Sequence, residues 1–124
     1  MANILLIEDE FRLRENISEL LELFEHHVVT AENGLIGLEQ VKISKPDIIV
    51  CDVMMPVLNG IEFIKQLNLI YEKSAIPLIF ISAKVNPEDI SEGLSLGALD
   101  YIKKPFTIHE LTKKIKQILN SSPY

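Results

Sequence analysis

Cysteine and aromatic residues are scarce in this sequence, and tryptophan is absent. Because Cys51 is the single cysteine, an internal disulfide is excluded, which suits a reducing cytoplasm. Cys51 adjoins Asp52, and neighbouring residues of a strand point to opposite faces. We therefore interpret Cys51 as a small core side chain and not as a reactive thiol.

Basic residues and long apolar runs are also in short supply. The 12 lysines and arginines face 18 acidic residues, for a formal net charge of −6, which argues against direct binding of nucleic acid or of an anionic membrane. No apolar run approaches the ~18 residues that span a bilayer, and the first residues lack the basic stretch of a signal peptide. We expect a cytoplasmic protein without a membrane partner.

What the sequence does contain is enough apolar material for one compact domain. Its 124 residues are 48% hydrophobic and 24% charged, values that are typical of a globular protein. We predict one domain over residues 1–120. The polar residues 121–124 are interpreted as a short tail or the start of a linker.

Five short apolar runs predict the buried strands of a parallel sheet. The central run, residues 48–51, lies between two prolines and leads into Asp52. An aspartate is costly to bury unpaired, so a strand that ends on one is expected to deliver it to a site at the edge of the sheet. The other predicted strands are residues 3–7, 27–31, 77–82 and 100–103.

A helix is predicted after every strand, from apolar residues at helical spacing or from capping signals. His26 and His27 are expected to close the first helix, where positive charge suits the helix dipole. Asn86 is the expected N-cap of the fourth helix. Thr107 and Glu110 predict a capping box at the start of the fifth.

This alternation of strands and helices is typical of an α/β protein in which helices cover both faces of a parallel sheet. Right-handed crossovers favour a five-stranded, flavodoxin-like, doubly wound sandwich with strand order 2-1-3-4-5. Ligands of such sheets bind beyond the carboxyl ends of the strands, where the first and third strands are neighbours.

Polar residues end or follow four of the predicted strands at this edge of the sheet, where the carboxyl ends of the strands lie and which we call the rim. Glu8 and Asp9 follow the first strand, Asp52 ends the third, Ser82 ends the fourth and Lys104 follows the fifth. Three converging carboxylates repel one another and are best neutralised by a hard divalent cation, for which Mg²⁺ fits best. With the lysine and the hydroxyl they predict a phosphoryl-binding site, in which an aspartate is the candidate covalent acceptor.

This ordered set of motifs resembles the receiver domain of bacterial two-component response regulators, the CheY-like domains, over essentially the whole chain. Each motif alone is weak, whereas the set in this order is highly specific. The matching motifs are Glu8-Asp9, residues 52–56 (Asp-Val-Met-Met-Pro) with Gly60, Ser82-Ala83, and residues 101–106 (Tyr-Ile-Lys-Lys-Pro-Phe).

The resemblance implies a role for each acid of the rim. Asp52 would be the phosphoacceptor of a phosphorelay. Asp9 and Asp52 would ligate Mg²⁺, with Glu8 acting mainly through water. The backbone carbonyl of Met54 would be a further ligand.

Further implied roles concern the change that follows phosphorylation. Ser82 and Lys104 would hold the phosphoryl oxygens, and Lys104 would join Pro105 through a cis bond. Tyr101 would be the switch aromatic, turning inward as Ser82 moves toward the phosphoryl group. The surface of the fourth helix, fifth strand and fifth helix would then change, as a site for partner binding or homodimerisation.

The same resemblance names the phosphoryl donor as a sensor histidine kinase or a histidine phosphotransfer protein. The domain would catalyse only its own phosphorylation and dephosphorylation. Met54 and Lys84, two residues beyond Asp52 and Ser82, would flank the path of the hydrolytic water and set the phosphoryl lifetime. No effector domain follows in this sequence, so the receiver is expected either to act alone through a partner or to belong to a longer protein.

Three other interpretations compete with the receiver. An aspartyl phosphatase would want an acid two residues after its nucleophile, where this chain has Met54. A flavin carrier on the same fold would need a phosphate-binding loop after the first strand, where Glu8 and Asp9 would repel the phosphate. A degenerate receiver acting as a binding scaffold is disfavoured by the intact set of acids, serine and lysine.

Overall fold

The structure, a computed structural model, describes residues 1–83 and 86–120. Within them five strands alternate with five helices: β1 (Asn3–Ile7), α1 (Phe11–Leu23), β2 (His27–Ala31), α2 (Gly34–Ile43), β3 (Ile48–Asp52), α3 (Gly60–Ile70), β4 (Leu78–Ser82), α4 (Pro87–Ser95), β5 (Asp100–Lys103) and α5 (Ile108–Leu119). The predicted tail, residues 121–124, lies outside the described residues. Among the helices that are described, none has the length and apolar character needed to cross a bilayer.

The strands form one parallel sheet in the order β2-β1-β3-β4-β5, so the predicted flavodoxin-like fold is confirmed. The register explains how the rim forms. Ile7 at the end of β1 lies opposite Cys51 of β3, so the residues that follow, Glu8 and Asp52, continue side by side. Because parallel strands run in one direction, the ends of β4 and β5 reach the same edge.

The core consists of two clusters of buried apolar side chains, one on each face of the sheet. On one face Leu6 of β1 packs with Ile17 of α1 and Leu111 of α5. On the other face Cys51 lies with Phe63 of α3, so the predicted core role of this cysteine is confirmed. All five residues of β3 are buried, which holds the end of this strand at a fixed place.

The end of α1 differs from the prediction that two histidines close it. The helix ends at Leu23 with Phe24 as its C-cap, and His27 already belongs to β2. The Ala2 backbone N–H donates to His26 Nδ1 at 3.2 Å, and burial lowers the pKa of this histidine. The helix ends earlier because Glu25 adopts a left-handed φ of 68°, and the N–H groups of Glu25 and His26 bind back to the carbonyls of Glu22 and Leu21, which closes the last turn.

The predicted helix starts are present, with one difference in the capping hydrogen bonds. The Asn86 side chain caps α4, and Thr107 Oγ1 accepts from the Glu110 backbone N–H at 3.1 Å. A full reciprocal box, in which both side chains bind the partner's backbone N–H, stands instead at Asn59 and Glu62 of α3. This box lies directly after the β3–α3 loop and fixes the far end of that loop.

Candidate functional site

The structure brings three of the predicted site residues together where β1 and β3 end. Glu8 and Asp9 lie in the turn between β1 and α1, and Asp52 is the last residue of β3. One carboxylate oxygen of each lies within 4.8 Å of those of the other two. This spacing is compatible with oxygen ligands that share one cation.

Lys104 lies directly after β5 and reaches across the rim to two of these acids. Its Nζ is 2.8 Å from Glu8 Oε1 and 3.2 Å from Asp52 Oδ2. Glu8 is 0% exposed and Asp52 is 4% exposed, whereas Asp9 is on the surface. Three carboxylates thus face one ammonium group, which leaves the site with an excess of negative charge when all four groups are ionised.

Backbone N–H groups hold the second oxygen of each buried carboxylate. The Glu10 N–H donates to Glu8 Oε2 at 3.1 Å, and the Met54 N–H donates to Asp52 Oδ1 at 3.3 Å. Each of the two acids is therefore oriented from both sides, by the lysine and by the loop that follows its strand. The Met54 side chain itself is 60% exposed.

Burial dominates the proton affinities of the two buried acids, and ion pairing dominates that of Lys104. Burial raises the pKa of Glu8 to about 7, although the hydrogen bond from Lys104 opposes the shift. Burial also raises the pKa of Asp52, against the charge of the same lysine. For Lys104, burial lowers the pKa, but its bonds to the two acids outweigh this and the pKa is raised. A cation that favours the ionised carboxylates would release protons on binding.

The remaining predicted residues of the rim lie at the ends of β4 and β5. Ser82 is fully buried as the last residue of β4, and its carbonyl accepts from the Lys104 backbone N–H at 2.8 Å. The Lys104–Pro105 peptide bond is cis. Lys84, assigned above to the phosphoryl lifetime, lies outside the described residues.

Tyr101, the expected switch aromatic, packs between β4 and α4. Its ring centroid lies 5.2 Å from that of Phe80, and its hydroxyl donates to the Asp89 carbonyl of α4 at 2.8 Å. A Cβ atom on Gly93 would overlap the hydroxyl and lie 2.9 Å from ring atom Cε2. Because Gly93 has no side chain, it leaves a gap on α4, which we call the glycine slot, and the half-buried Tyr101 ring fills this gap.

Two further residues support the acid turn and were not predicted. The Glu10 carboxylate caps α1, and Arg14 donates to the backbone carbonyl of Glu8 at 2.8 Å. One signal in the sequence could have pointed to Arg14. A positive charge near a helix N-terminus is unfavourable, so the arginines at the second and fourth positions of α1 suggest a specific contact, which the structure gives to Arg14.

Proteins of known family resemble this chain over nearly its whole length. A sequence profile described as "Response regulator receiver domain" matches residues 4–116. Response regulator ArlR of Staphylococcus epidermidis is 40% identical over 99% of this chain, and protein PilH of Pseudomonas aeruginosa is 37% identical over 96% of it. The match covers 55% of ArlR and 98% of PilH, so the chain spans about half the length of some curated relatives.

Solved structures show the same likeness. The chemotaxis protein CheY4 of Vibrio cholerae superposes with a TM-score of 0.90 at 30% sequence identity, over 95% of this chain and 98% of that one. The receiver domain of Francisella response regulator 1452 gives a TM-score of 0.87 at 32% identity, over 96% of both chains. Both likenesses extend over nearly the whole fold.

Proposed function

Because this chain belongs to the receiver domain family of two-component response regulators, we propose that Asp52 is its phosphoacceptor. Domains of this family are signalling domains and not conventional enzymes. The observation that carries the proposal is the placement of Asp52 at the end of β3, with Lys104 Nζ 3.2 Å from Oδ2 and two further acids beside it. The ammonium group of Lys104 therefore lies next to an oxygen of Asp52, where it can attract a phosphoryl group.

The donor set of the site fits Mg²⁺. Three clustered carboxylates are hard oxygen ligands, and this ion is typically held by one or two of them together with phosphate oxygens and water. Asp9 and Asp52 would hold the ion, with Glu8 acting mainly through water and the Met54 carbonyl as a further ligand. The bound ion would supply positive charge to the phosphoryl oxygens.

The proposed reaction is a phosphoryl transfer from a phosphohistidine. An oxygen of Asp52 forms a bond to phosphorus while the phosphorus–nitrogen bond breaks, and the departing imidazole nitrogen takes up a proton. Lys104 Nζ and the Ser82 hydroxyl hold the phosphoryl oxygens at the ends of β5 and β4. The donor would be a sensor histidine kinase or a histidine phosphotransfer protein in the cytoplasm, and the chain would catalyse only its own phosphorylation and dephosphorylation.

The proposed consequence is a change of the surface formed by α4, β5 and α5. Ser82 would move toward the phosphoryl group and Tyr101 would turn inward, leaving its slot on α4. The changed surface would bind a partner or a second copy of the chain. We assign this function to residues 1–120.

Incubation with acetyl phosphate and Mg²⁺, followed by intact-mass spectrometry, tests the proposal. Wild type should gain the mass of one phosphoryl group, and EDTA should prevent the gain. Asp52→Ala should gain none, whereas Asp47→Ala, which removes an aspartate just before β3, should react like wild type. Equal labelling of wild type and Asp52→Ala would contradict the assignment.

A further inference from the structure

We propose that Arg14 is a positioning residue for the cation site. Its guanidinium group holds the turn of Glu8 and Asp9 in the conformation that presents both carboxylates to Mg²⁺. The inference rests on the proposed function, since it assigns a further residue to the same site.

The contacts of Arg14 fix the backbone of the turn and not its side chains. Arg14 Nη1 donates to the Glu8 carbonyl oxygen at 2.8 Å and approaches the Asp9 carbonyl oxygen at 3.5 Å. The guanidinium carbon lies 5.4 Å from the centroid of the Phe11 ring, so the half-buried side chain is held from a second direction. A hydrogen bond from a charged donor is roughly twice as strong as a neutral one.

The other groups of Glu8 are already occupied. Its N–H donates to the Ala31 carbonyl of β2 at 3.0 Å, and its carboxylate is bound by Lys104 and by the Glu10 N–H. The carbonyl is the remaining hydrogen-bonding group, and Arg14 binds it. Arg14 thus completes the restraint of the residue that precedes Asp9.

The direction of the Asp9 carboxylate depends on the hydrogen bond between Arg14 and the Glu8 carbonyl. The Glu8 carbonyl and the Asp9 N–Cα bond lie in one planar peptide unit, so holding the first orients the second. Asp9 is exposed, and the direction of its side chain is therefore set by its backbone and not by surrounding packing. Loss of the arginine would free the peptide plane and with it this proposed ligand.

The charge of Arg14 and its proposed positioning role predict opposite effects on Mg²⁺ affinity when the residue is removed. Arg14 is itself positive, so removing its charge alone would strengthen Mg²⁺ binding. If the arginine acts by positioning, its removal weakens binding in spite of the lost repulsion. Arg12 is a matched control, because it is an exposed arginine two residues earlier on the same helix.

The test is the dissociation constant of Mg²⁺, measured by calorimetry with each variant well below its melting temperature in EDTA. Arg14→Ala should bind about tenfold more weakly, as is typical when a group that orients a metal ligand is lost. Arg12→Ala should stay within about twofold of wild type. The dissociation constant of Arg14→Lys should lie between those of wild type and Arg14→Ala, with binding roughly threefold weaker than in wild type. Lysine keeps a charged donor but lacks the planar guanidinium group.

Unchanged or tighter binding by Arg14→Ala would overturn the inference, and so would a lower melting temperature with the same dissociation constant. If the alanine variant does not fold, the lysine variant decides: weaker binding supports positioning, and binding equal to wild type overturns it. Failure of wild type to bind Mg²⁺ at all would instead overturn the proposed function. The two failures are therefore distinguishable.

Discussion

Glu8 is a fully buried carboxyl whose pKa is raised by burial to about 7, from an ordinary value of 4.5. Between these two values the folded protein retains a proton that the unfolded chain has lost. The contribution of Glu8 to the free energy of unfolding of the metal-free protein should therefore be fully present below about pH 4.5, fall as pH rises to about 7, and then level off.

Glu8→Gln should remove most of this fall, because the amide does not titrate. Wild type in EDTA should lose on the order of 2–3 kcal/mol across the interval, measured by urea unfolding at a series of pH values. Glu19→Gln, which changes an exposed glutamate of α1, should keep the wild-type dependence. If the free energy of unfolding falls as much with pH in Glu8→Gln as in wild type, other titratable groups cause the effect.

Met54 is the second residue whose side chain carries a prediction. It is largely exposed beside Asp52 and offers water at most a weak acceptor. Met54→Asn combined with Lys84→Glu should shorten the lifetime of the phosphorylated protein, by roughly tenfold if the barrier falls by ~1.4 kcal/mol. Decay would be followed at one Mg²⁺ concentration, with each single variant as a comparison. Unchanged or slower decay in the double variant would show that the rate is set elsewhere.

At the scale of elements, α4 and β5 are joined by one aromatic ring in a glycine slot. Alanine is normally the better helix residue by about 0.5–1 kcal/mol, yet a Cβ on Gly93 would overlap Tyr101. Gly93→Ala should therefore lower the free energy of unfolding in the wild-type background. In the background of Tyr101→Ala, where the ring is gone, the same change should raise it.

Urea unfolding of the four proteins gives the coupling between positions 93 and 101 directly. A favourable effect of Gly93→Ala in both backgrounds would mean that the ring is not held on α4 as described. Tyr101→Phe is an informative addition, because it removes the hydroxyl that the new Cβ would meet first and the hydrogen bond to Asp89.

The elements also show how far the sequence could predict this structure. The ends of the strands could be predicted, because each short apolar run stops at a polar residue. Since parallel strands end on one edge of the sheet, Asp52 and Lys104 could be placed on the same rim. The contacts of Arg14 and Gly93 depend on how a loop and a helix are packed, which no periodicity records. The prediction that His26 and His27 close α1 was wrong, because the helix ends in a left-handed turn at Glu25, where the sequence lacks the glycine that usually marks such a turn.

For the whole molecule, the acid cluster should couple cation binding to global stability. Like charges in a buried site disfavour the metal-free fold, and a ligand that binds the folded state alone stabilises it. Mg²⁺ should therefore raise the melting temperature, and Asp52→Asn should stabilise the metal-free protein. Superimposable melting curves in EDTA and in Mg²⁺ would contradict binding at this site.

The most direct test of the account is to locate the phosphoryl group on the chain. Borohydride reduces an aspartyl phosphate to homoserine, and it reduces a glutamyl phosphate to a different product, so peptide mass spectrometry after reduction identifies both the position and the kind of acceptor. We predict homoserine at position 52 after incubation with acetyl phosphate and Mg²⁺, and none when EDTA is present. Reduction products at Glu8 or Asp9, or equal homoserine at position 52 without the cation, would contradict the account.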